Sequence, residues 1–329
     1  MTTWKTAVLC RTIAAATAGS LALSLGSWSA SAEFPDKPIE FVIPFGAGGG
    51  ADIEGRLLAK EMGKILGVQI VPINKPGAGG AVTYTYIKNA KPDGYKIGWN
   101  STSILTTTNI GNVPFMHDAM DHIGRVEWQP MVFAVKASAK WKDLKSFAAD
   151  CKANPDKYKI SNSGTGSATH LAAIALANAT GCKVVHLPVG IKRRNASVLS
   201  GEANAMAAPL TGAVRLTKAG KMRILAVISA KRNTTIPDVP TAKEVGFDAQ
   251  LDLFRGLSVP KGTPANVKKK LGEAMAKAAK SDAFMALAKQ KGFSVDPIMS
   301  AEFSELLARE DKRVKGIMKS AGLYQSKAK

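Results

Sequence analysis

Two glycine-rich runs carry the chemistry that is legible first. Pro44-Phe45-Gly46-Ala47-Gly48-Gly49-Gly50-Ala51-Asp52 and Asn74-Lys75-Pro76-Gly77-Ala78-Gly79-Gly80 each fall between a β-rich run and a helical pattern. Glycine lets a backbone come close to a ligand, and the first turn of a helix offers unpaired N–H groups at the positive end of its dipole. Such a loop binds an anion, and two of them in one lobe can hold a carboxylate without any charged side chain. Taken singly, either loop is equally well explained as a set of tight turns.

The rival chemistry these glycines raise is a nucleotide-binding enzyme. Gly46 to Ala51 has glycine at the first and third positions of a dinucleotide fingerprint and alanine at the sixth, which some such sites accept. A phosphate-loop run ending in Gly-Lys-Ser/Thr is missing from the sequence. The four histidines, His117, His122, His170 and His186, form no His-Glu-x-x-His run, and no cysteine pair has zinc spacing. His117 and His122 lie in a polar, Met-containing stretch, while His170 and His186 adjoin apolar runs, as core histidines do. We therefore expect no enzyme, no metal and no cofactor.

The elements that must position the loops begin after an export signal. Lys5 and Arg11 are the only charges before a small, apolar stretch from Thr12 to Leu25, and Ala30-Ser31-Ala32 supplies a small-x-small cleavage pattern. Residues 1–32 are read as a signal peptide cut after Ala32, which places the mature protein in the periplasm. Loss of Lys5 and Arg11 leaves 43 Lys and Arg against 25 acids, a net charge of +18. The basic residues are scattered and aromatics are few, which argues against a nucleic-acid partner and leaves a field that attracts anions.

The remaining 297 residues exceed a usual single core, so two lobes are expected. Runs Ile39 to Ile43, Val68 to Ile73 and Tyr95 to Trp99 read as strands alternating with helices at Ala51 to Leu66 and Ala81 to Asn89. In the first helix Ile53, Leu57, Leu58, Met62, Ile65 and Leu66 fall on one side, and Gly67 ends it. A second series has strands near Val132 to Val135, Lys157 to Ser161, Lys183 to Leu187, Ala203 to Ala207 and Arg223 to Ile228. Three helices, Ala265 to Lys280, Asp282 to Lys291 and Ala301 to Ser320, close the chain and return to the first lobe. The chain then crosses between lobes twice, near Val126 to Phe133 and Leu251 to Val259, giving a hinge. Residues 33–131 with 255–329 form one lobe and 132–254 the other.

Beyond these patterns, the sequence resembles the receptors of tripartite tricarboxylate transporters, the Bug proteins. The likeness rests on Lys37-Pro38-Ile39, Pro-Phe-x-x-Gly-Gly-x-x-Asp at Pro44 to Asp52, Asn-x-Pro-Gly-Ala-Gly-Gly at Asn74 to Gly80 and Pro92-Asp93-Gly94-Tyr95. It continues through Ser163-Gly164-x-Gly166-Ser167, Ala219-Gly220-Lys221 and Pro237-Asp238-Val239-Pro240-Thr241. The resemblance implies an α/β, two-lobed periplasmic binding protein fold, a Venus flytrap of type II-like order with two hinge-crossing strands. It also implies a monomeric, non-catalytic receptor that delivers a small organic carboxylate to the large and small subunits of an inner-membrane transporter. A sensor subunit presenting the same acid to a membrane kinase is the alternative. By matching position, the first-lobe contacts would be Phe45, Gly46, Ala47, Gly48, Gly49, Gly77, Ala78, Gly79 and Gly80, with Ser101 and Thr102. Those of the second lobe would be Ser163, Thr165 and Gly166.

The sequence departs from the family where Pro-Tyr-Lys-Gly-Gly is usual and Pro188-Val189-Gly190-Ile191-Lys192-Arg193-Arg194 stands instead. Pro188, Val189 and Lys192 are candidate contacts there. The basic run is either a solvated helix start or a distal pocket retuned for another ligand, with a second carboxylate near Lys192 or Arg193. The mature chain keeps Cys151 and Cys182, an even number in an oxidising compartment, which favours a disulfide.

Overall fold

The computed structural model describes residues 33–328, so the expected signal peptide lies outside them. No described helix is long and apolar enough to cross a membrane.

The chain opens with β1 (Ile39–Ile43), whose apolar residues are buried on both faces, as in a central parallel strand. It leads to α1 (Gly50–Leu66), which ends where Gly67 turns left-handed at φ 71° and gives its N–H to the Gly63 carbonyl. The buried face of α1 is not the apolar stripe expected from its spacing. Leu58 and Met62 are buried, but Ile53 and Ile65 are 37% and 43% exposed. Small residues take their place because the helix packs too closely for large ones: a Cβ on Gly55 would stand 3.1 Å from the Trp99 ring and 3.2 Å from Phe41.

β2 (Ile70–Asn74) and β3 (Lys96–Ser101) flank β1 in parallel, joined by α2 (Ala81–Lys88). After α3 (Ser103–Asn109) the chain enters β4 (Met120–Lys136), a strand of 17 residues. The second series follows as α4 (Leu144–Ala153), β5 (Lys159–Asn162), α5 (Ala168–Thr180), β6 (Val185–Pro188), α6 (Gly190–Ser200), β7 (Ala205–Pro209), α7 (Leu210–Lys218) and β8 (Met222–Ile228). β9 (Asp252–Pro260), α8 (Ala265–Ala279), α9 (Asp282–Lys291), β10 (Ser294–Met299) and α10 (Ser300–Ser320) complete the described chain.

The sheet order is β2-β1-β3-β9-β4-β7-β5-β6, with β10 and β8 also on β4. Each half repeats one plan: three parallel strands in the order second, first, third, followed by an antiparallel strand from elsewhere in the chain. The fold is the α/β, two-lobed plan of a periplasmic binding protein. β4 belongs to both halves, since Met120 to Pro130 pair with β9 and Met131 to Lys136 pair with β7 and β8. The return passes between Ile228, whose carbonyl accepts from Leu251, and Asp252, which pairs with Pro130. α8 packs on α1 and β4, and α10 on β4, α3 and α5, so the last helix also reaches the second half.

The expected disulfide is not formed in the structure. Cys151 and Cys182 are buried free thiols that point at the Lys183 and Ala148 carbonyls, at 4.0 and 3.8 Å. They lie side by side, and burial followed by the Cys182 thiol raises Cys151 well above the usual range, which suits an inert thiol.

Candidate functional site

The loops singled out by sequence leave the carboxyl ends of parallel strands, where open α/β sheets place their ligands. Phe45 to Gly49 connect β1 to α1, and Gly77 to Gly80 connect β2 to α2. One carboxylate and one amide tie them together. Asn74 donates through Nδ2 to the Phe45 carbonyl at 2.9 Å and to Asp52 Oδ1 at 2.8 Å. Asp52 Oδ2 accepts from the Gly48 amide at 2.9 Å, and Arg56 donates to Asp52 Oδ1 at 2.8 Å and to Asn74 Oδ1 at 2.7 Å. Burial pushes the Asp52 carboxyl up, but Gly48, Asn74 and Arg56 together hold it below the usual carboxylate range. The charge of Asp52 is thus spent on shaping the first loop.

Beneath that loop Arg255 Nε donates to Glu54, and Glu127 stands 3.5 Å from the same nitrogen. All three are buried. Burial first, then repulsion from Glu54, drives Glu127 well above the carboxylate range despite Arg255. The guanidinium also lies 5.9 Å from the Phe45 ring centre, so Phe45 rests on an internally neutralised cluster.

The second loop is held from below by α3. Thr107 Oγ1 donates to the Gly79 carbonyl at 2.7 Å and Asn112 Nδ2 to the Ala78 carbonyl at 3.0 Å. Gly79 is left-handed at φ 71°, and its added Cβ would come to 3.0 Å from Thr107 Oγ1. Gly46 differs: its φ is not positive, and a Cβ there would meet nothing within 4 Å. Gly46 to Gly48 and Gly77 to Gly79 are exposed, whereas Gly80 is buried. The amides of Ala47, Gly49, Ala78 and Gly79 donate to no protein group among the described residues. They leave a set of backbone N–H donors without a protein acceptor on the two loops, the kind of group that an anion can use.

Ser101 and Thr102 are buried beside these loops with their hydroxyls already engaged. Ser101 Oγ lies 2.9 Å from Ser103 Oγ, while Thr102 Oγ1 donates to the Asp252 carbonyl and accepts from the Phe254 amide. Thr102 therefore fastens the site to the hinge strand β9.

The second-lobe loop after β5 is organised by α5. Ser167 caps that helix, its Oγ accepting from the His170 amide at 3.2 Å, and the Gly166 amide donates to His170 Nδ1 at 3.1 Å. Nδ1 is thus the bare nitrogen, and burial, with His186 beside it, lowers His170 to about 4, so the imidazole is neutral. Ser163 is half-buried and Thr165 exposed. Gly166 faces the first lobe directly, because a Cβ there would lie 2.3 Å from Ile110 Cδ1 just after α3. α3 and the Ile110 that follows it therefore link the Gly77 to Gly80 loop with Gly166.

Not every expected residue joins this group. Pro188 and Val189 make no hydrogen bond to the first-lobe loops, and Lys192 is exposed on α6 without an ion pair among the described residues. Arg193 is paired outward with Glu202 at 2.9 Å. The third basic residue of that run is the one turned inward. Arg194 is 6% exposed, and its Nη1 donates to Ser163 Oγ at 2.7 Å. Sequence reading passed over it because the run looks like a solvated helix start; its position five residues into α6 was the available signal.

A surface concavity of about 1040 Å³ lies elsewhere, over α2 and the turn into β3, lined by Glu40, Lys75, Tyr86, Tyr95 and Lys96. No glycine of either loop lines it, so it is a groove on the flank of the sheet and not the candidate site.

Similar proteins are found by sequence and by fold. Residues 55–323 match the model of the tripartite tricarboxylate transporter family receptor. The chain is 31% identical over 323 residues to the UPF0065 protein of the gbd 5' region of Cupriavidus necator, covering 95% of this chain and 96% of that one. It is similar to a TctC solute-binding protein from Polaromonas, at 32% identity and TM-score 0.76, with 87% of this chain and 99% of that one covered. It is also similar to MatC from Rhodopseudomonas palustris with bound malate, at 25% identity and TM-score 0.75, covering 86% and 99%. The matched family is one of receptors, and the Polaromonas protein is a solute-binding protein, not an enzyme. On the extent of these matches, the chain belongs to the tripartite tricarboxylate transporter receptor family.

Proposed function

We propose that this protein is a periplasmic receptor that grips a small organic carboxylate at the two first-lobe glycine loops and carries it to a tripartite membrane transporter. The observation that carries this reading is the set of unpartnered amides at Ala47, Gly49, Ala78 and Gly79, on loops beside which Asp52 and Arg56 already neutralise each other. An anion brought to that surface gains hydrogen bonds and displaces no side-chain partner. The malate held by MatC supports a carboxylate as the ligand class. Ser163, Thr165 and Gly166 would meet the far side of the ligand, and closure would follow because only a contact made to both lobes shifts the open–closed balance.

The test is a thermal-shift screen of refolded, ligand-free protein against mono-, di- and tricarboxylates, aromatic acids and amino acids. A true ligand at a hundredfold excess over its Kd raises stability by about 2.7 kcal/mol. A screen in which no carboxylate shifts the transition sinks the reading. Delivery is tested separately by pull-down from membranes with the ligand-loaded protein; capture of a sensor kinase in place of permease subunits would move the role from transport to sensing.

A further inference from the structure

The three buried ionisable groups under the first glycine loop do not cancel. Arg255 on β9 has Glu127 of β4 as its register partner on one side and Ser101 of β3 on the other, while Glu54 comes from near the start of α1. Arg255 Nε donates to Glu54, and Glu127 Oε1 stands 3.5 Å from the same nitrogen. Neither Glu127 oxygen has a hydrogen-bond partner among the described residues. One cation between two carboxylates would bury a net negative charge, so one carboxyl keeps its proton. Glu127, wholly buried and the less well bonded of the two, is that carboxyl.

No other charge replaces this proton. Among the described residues, the charges that act on Glu127 are those of Glu54 and Arg255. Those on the elements around β4 are matched elsewhere: Arg125 with Asp296 of β10 at 2.6 Å, Lys268 of α8 with Asp121 at 2.8 Å, and Arg313 with Glu310 on α10 at 3.2 Å. His122 on β4 is neutral, since burial and then His117 lower it to about 3. Tyr84 of α2, near Arg255, is pushed up to about 12 by burial and stays neutral as well. Asp252, on the same strand as Arg255, is bonded to Ser229.

The cluster reaches the loop at both of its ends. Its guanidinium lies 5.9 Å from the Phe45 ring centre, and a Cβ on Gly50 would stand 3.1 Å from Glu54 Oε1. A negative charge appearing there would oppose any anion drawn to the amides of Ala47 and Gly49.

We propose that Glu127 is a positioning residue that acts through its proton: while it holds the proton the floor of the first loop is neutral and the loop accepts an anion, and once it ionises the anion is repelled. This rests on the carboxylate-receptor reading. Affinity is then whole while Glu127 is protonated and falls as pH rises through its folded-state pKa, and in that window binding draws a proton onto the protein.

Two measurements test it. Infrared difference spectra at neutral pH, wild type minus Glu127→Gln, should show the carbonyl stretch of a protonated carboxyl. Glu54→Gln should remove the same band, because Glu127 then ionises against Arg255. Absence of the band in wild type overturns the proposal whatever the ligand does, as does its survival in folded Glu127→Gln. Calorimetry then follows the tightest binder among malate, succinate and benzoate from about pH 7 to about pH 9.5, above the ordinary carboxylate range and below that of lysine. Wild-type affinity should fall by about tenfold across the range, while both variants keep the wild-type value at neutral pH within about twofold and hold it throughout. A flat wild-type profile, or the same fall in folded Glu127→Gln, overturns the proposal. Wild type that binds none of the three acids overturns the carboxylate reading, and this proposal with it.

Discussion

The two loop clusters of the candidate site handle charge in opposite ways. In the first lobe Asp52 is answered by Arg56 and Glu54 by Arg255, and what the two loops leave unpaired is backbone N–H. In the second lobe the backbone is engaged, Gly164 with Asn162 and Gly166 with His170, and a buried guanidinium is left unanswered. The difference teaches that whatever holds a loop in shape, charge or backbone, is no longer offered outward.

The comparison breaks most easily at Arg255. If the first-lobe charges are neutral only as a set, Arg255→Met strands Glu54 beside Glu127 and should cost about 3–5 kcal/mol of stability, read by urea denaturation. A loss below about 1 kcal/mol would mean that Arg255 is not what compensates the burial of Glu54.

The second lobe offers the next largest effect. Cys151 and Cys182 lie close enough to close a loop of about 30 residues, and such a bond stabilises by roughly 3 kcal/mol in the chain-entropy model. Protein isolated from the periplasm should show no thiol when titrated denatured and unreduced. Two reactive thiols would leave the pair as the structure has it.

Gly46→Val sharpens the first-lobe side. The site has room for the side chain and needs no positive φ, so the fold should be unaffected, while carboxylate affinity falls at least tenfold, about 1.4 kcal/mol. Gly79→Val is a poorer probe, since its φ of 71° and the nearby Thr107 hydroxyl would cost stability as well. A folded Gly46→Val protein with normal affinity would show that the first loop only shapes a turn.

The smallest expected effect concerns pH. His170 is lowered in the folded state to about 4 from the usual 6.5, so between those values the unfolded chain binds more protons. Its contribution to stability is whole above about pH 6.5 and is lost as pH falls through 4. Asp252 is raised to about 6 and acts with the opposite sign, but it is common to both proteins in the comparison. His170→Asn keeps an acceptor for Gly166, and its Tm should fall about 2–4 °C less than that of wild type between pH 7 and pH 4.5. Parallel Tm curves would remove His170 as the titrating group.

Much of this was legible because the signals were local. The strands β1 and β8, the stop of α1 at Gly67 and the three closing helices follow from apolar runs and caps. The first half of β4 was not legible, because His122, Glu127 and Gln129 interrupt its apolar pattern although all three are buried, and only the fold supplies their surroundings. β10 was missed for a related reason: Asp296 and Pro297 break it, and its register on β4 shifts at that point. The glycine loops declared themselves through their composition, and Gly48, Gly77, Gly79 and Gly80 do take the positive φ that favours glycine, although Ala78 between them takes it too. Arg194 did not, because three consecutive basic residues look alike until a helix turns one of them inward.

β9 carries a consequence for how the chain is made. It lies between β3 and β4, so the amino-terminal half of the sheet stays open until residues 252–260 have been synthesised. Pairings this distant in sequence form slowly, and a chain emerging in order has no native partner for β3 on that side for some 150 residues. Here the delay is supplied by contact order itself: the strand that completes the first lobe is among the last to arrive.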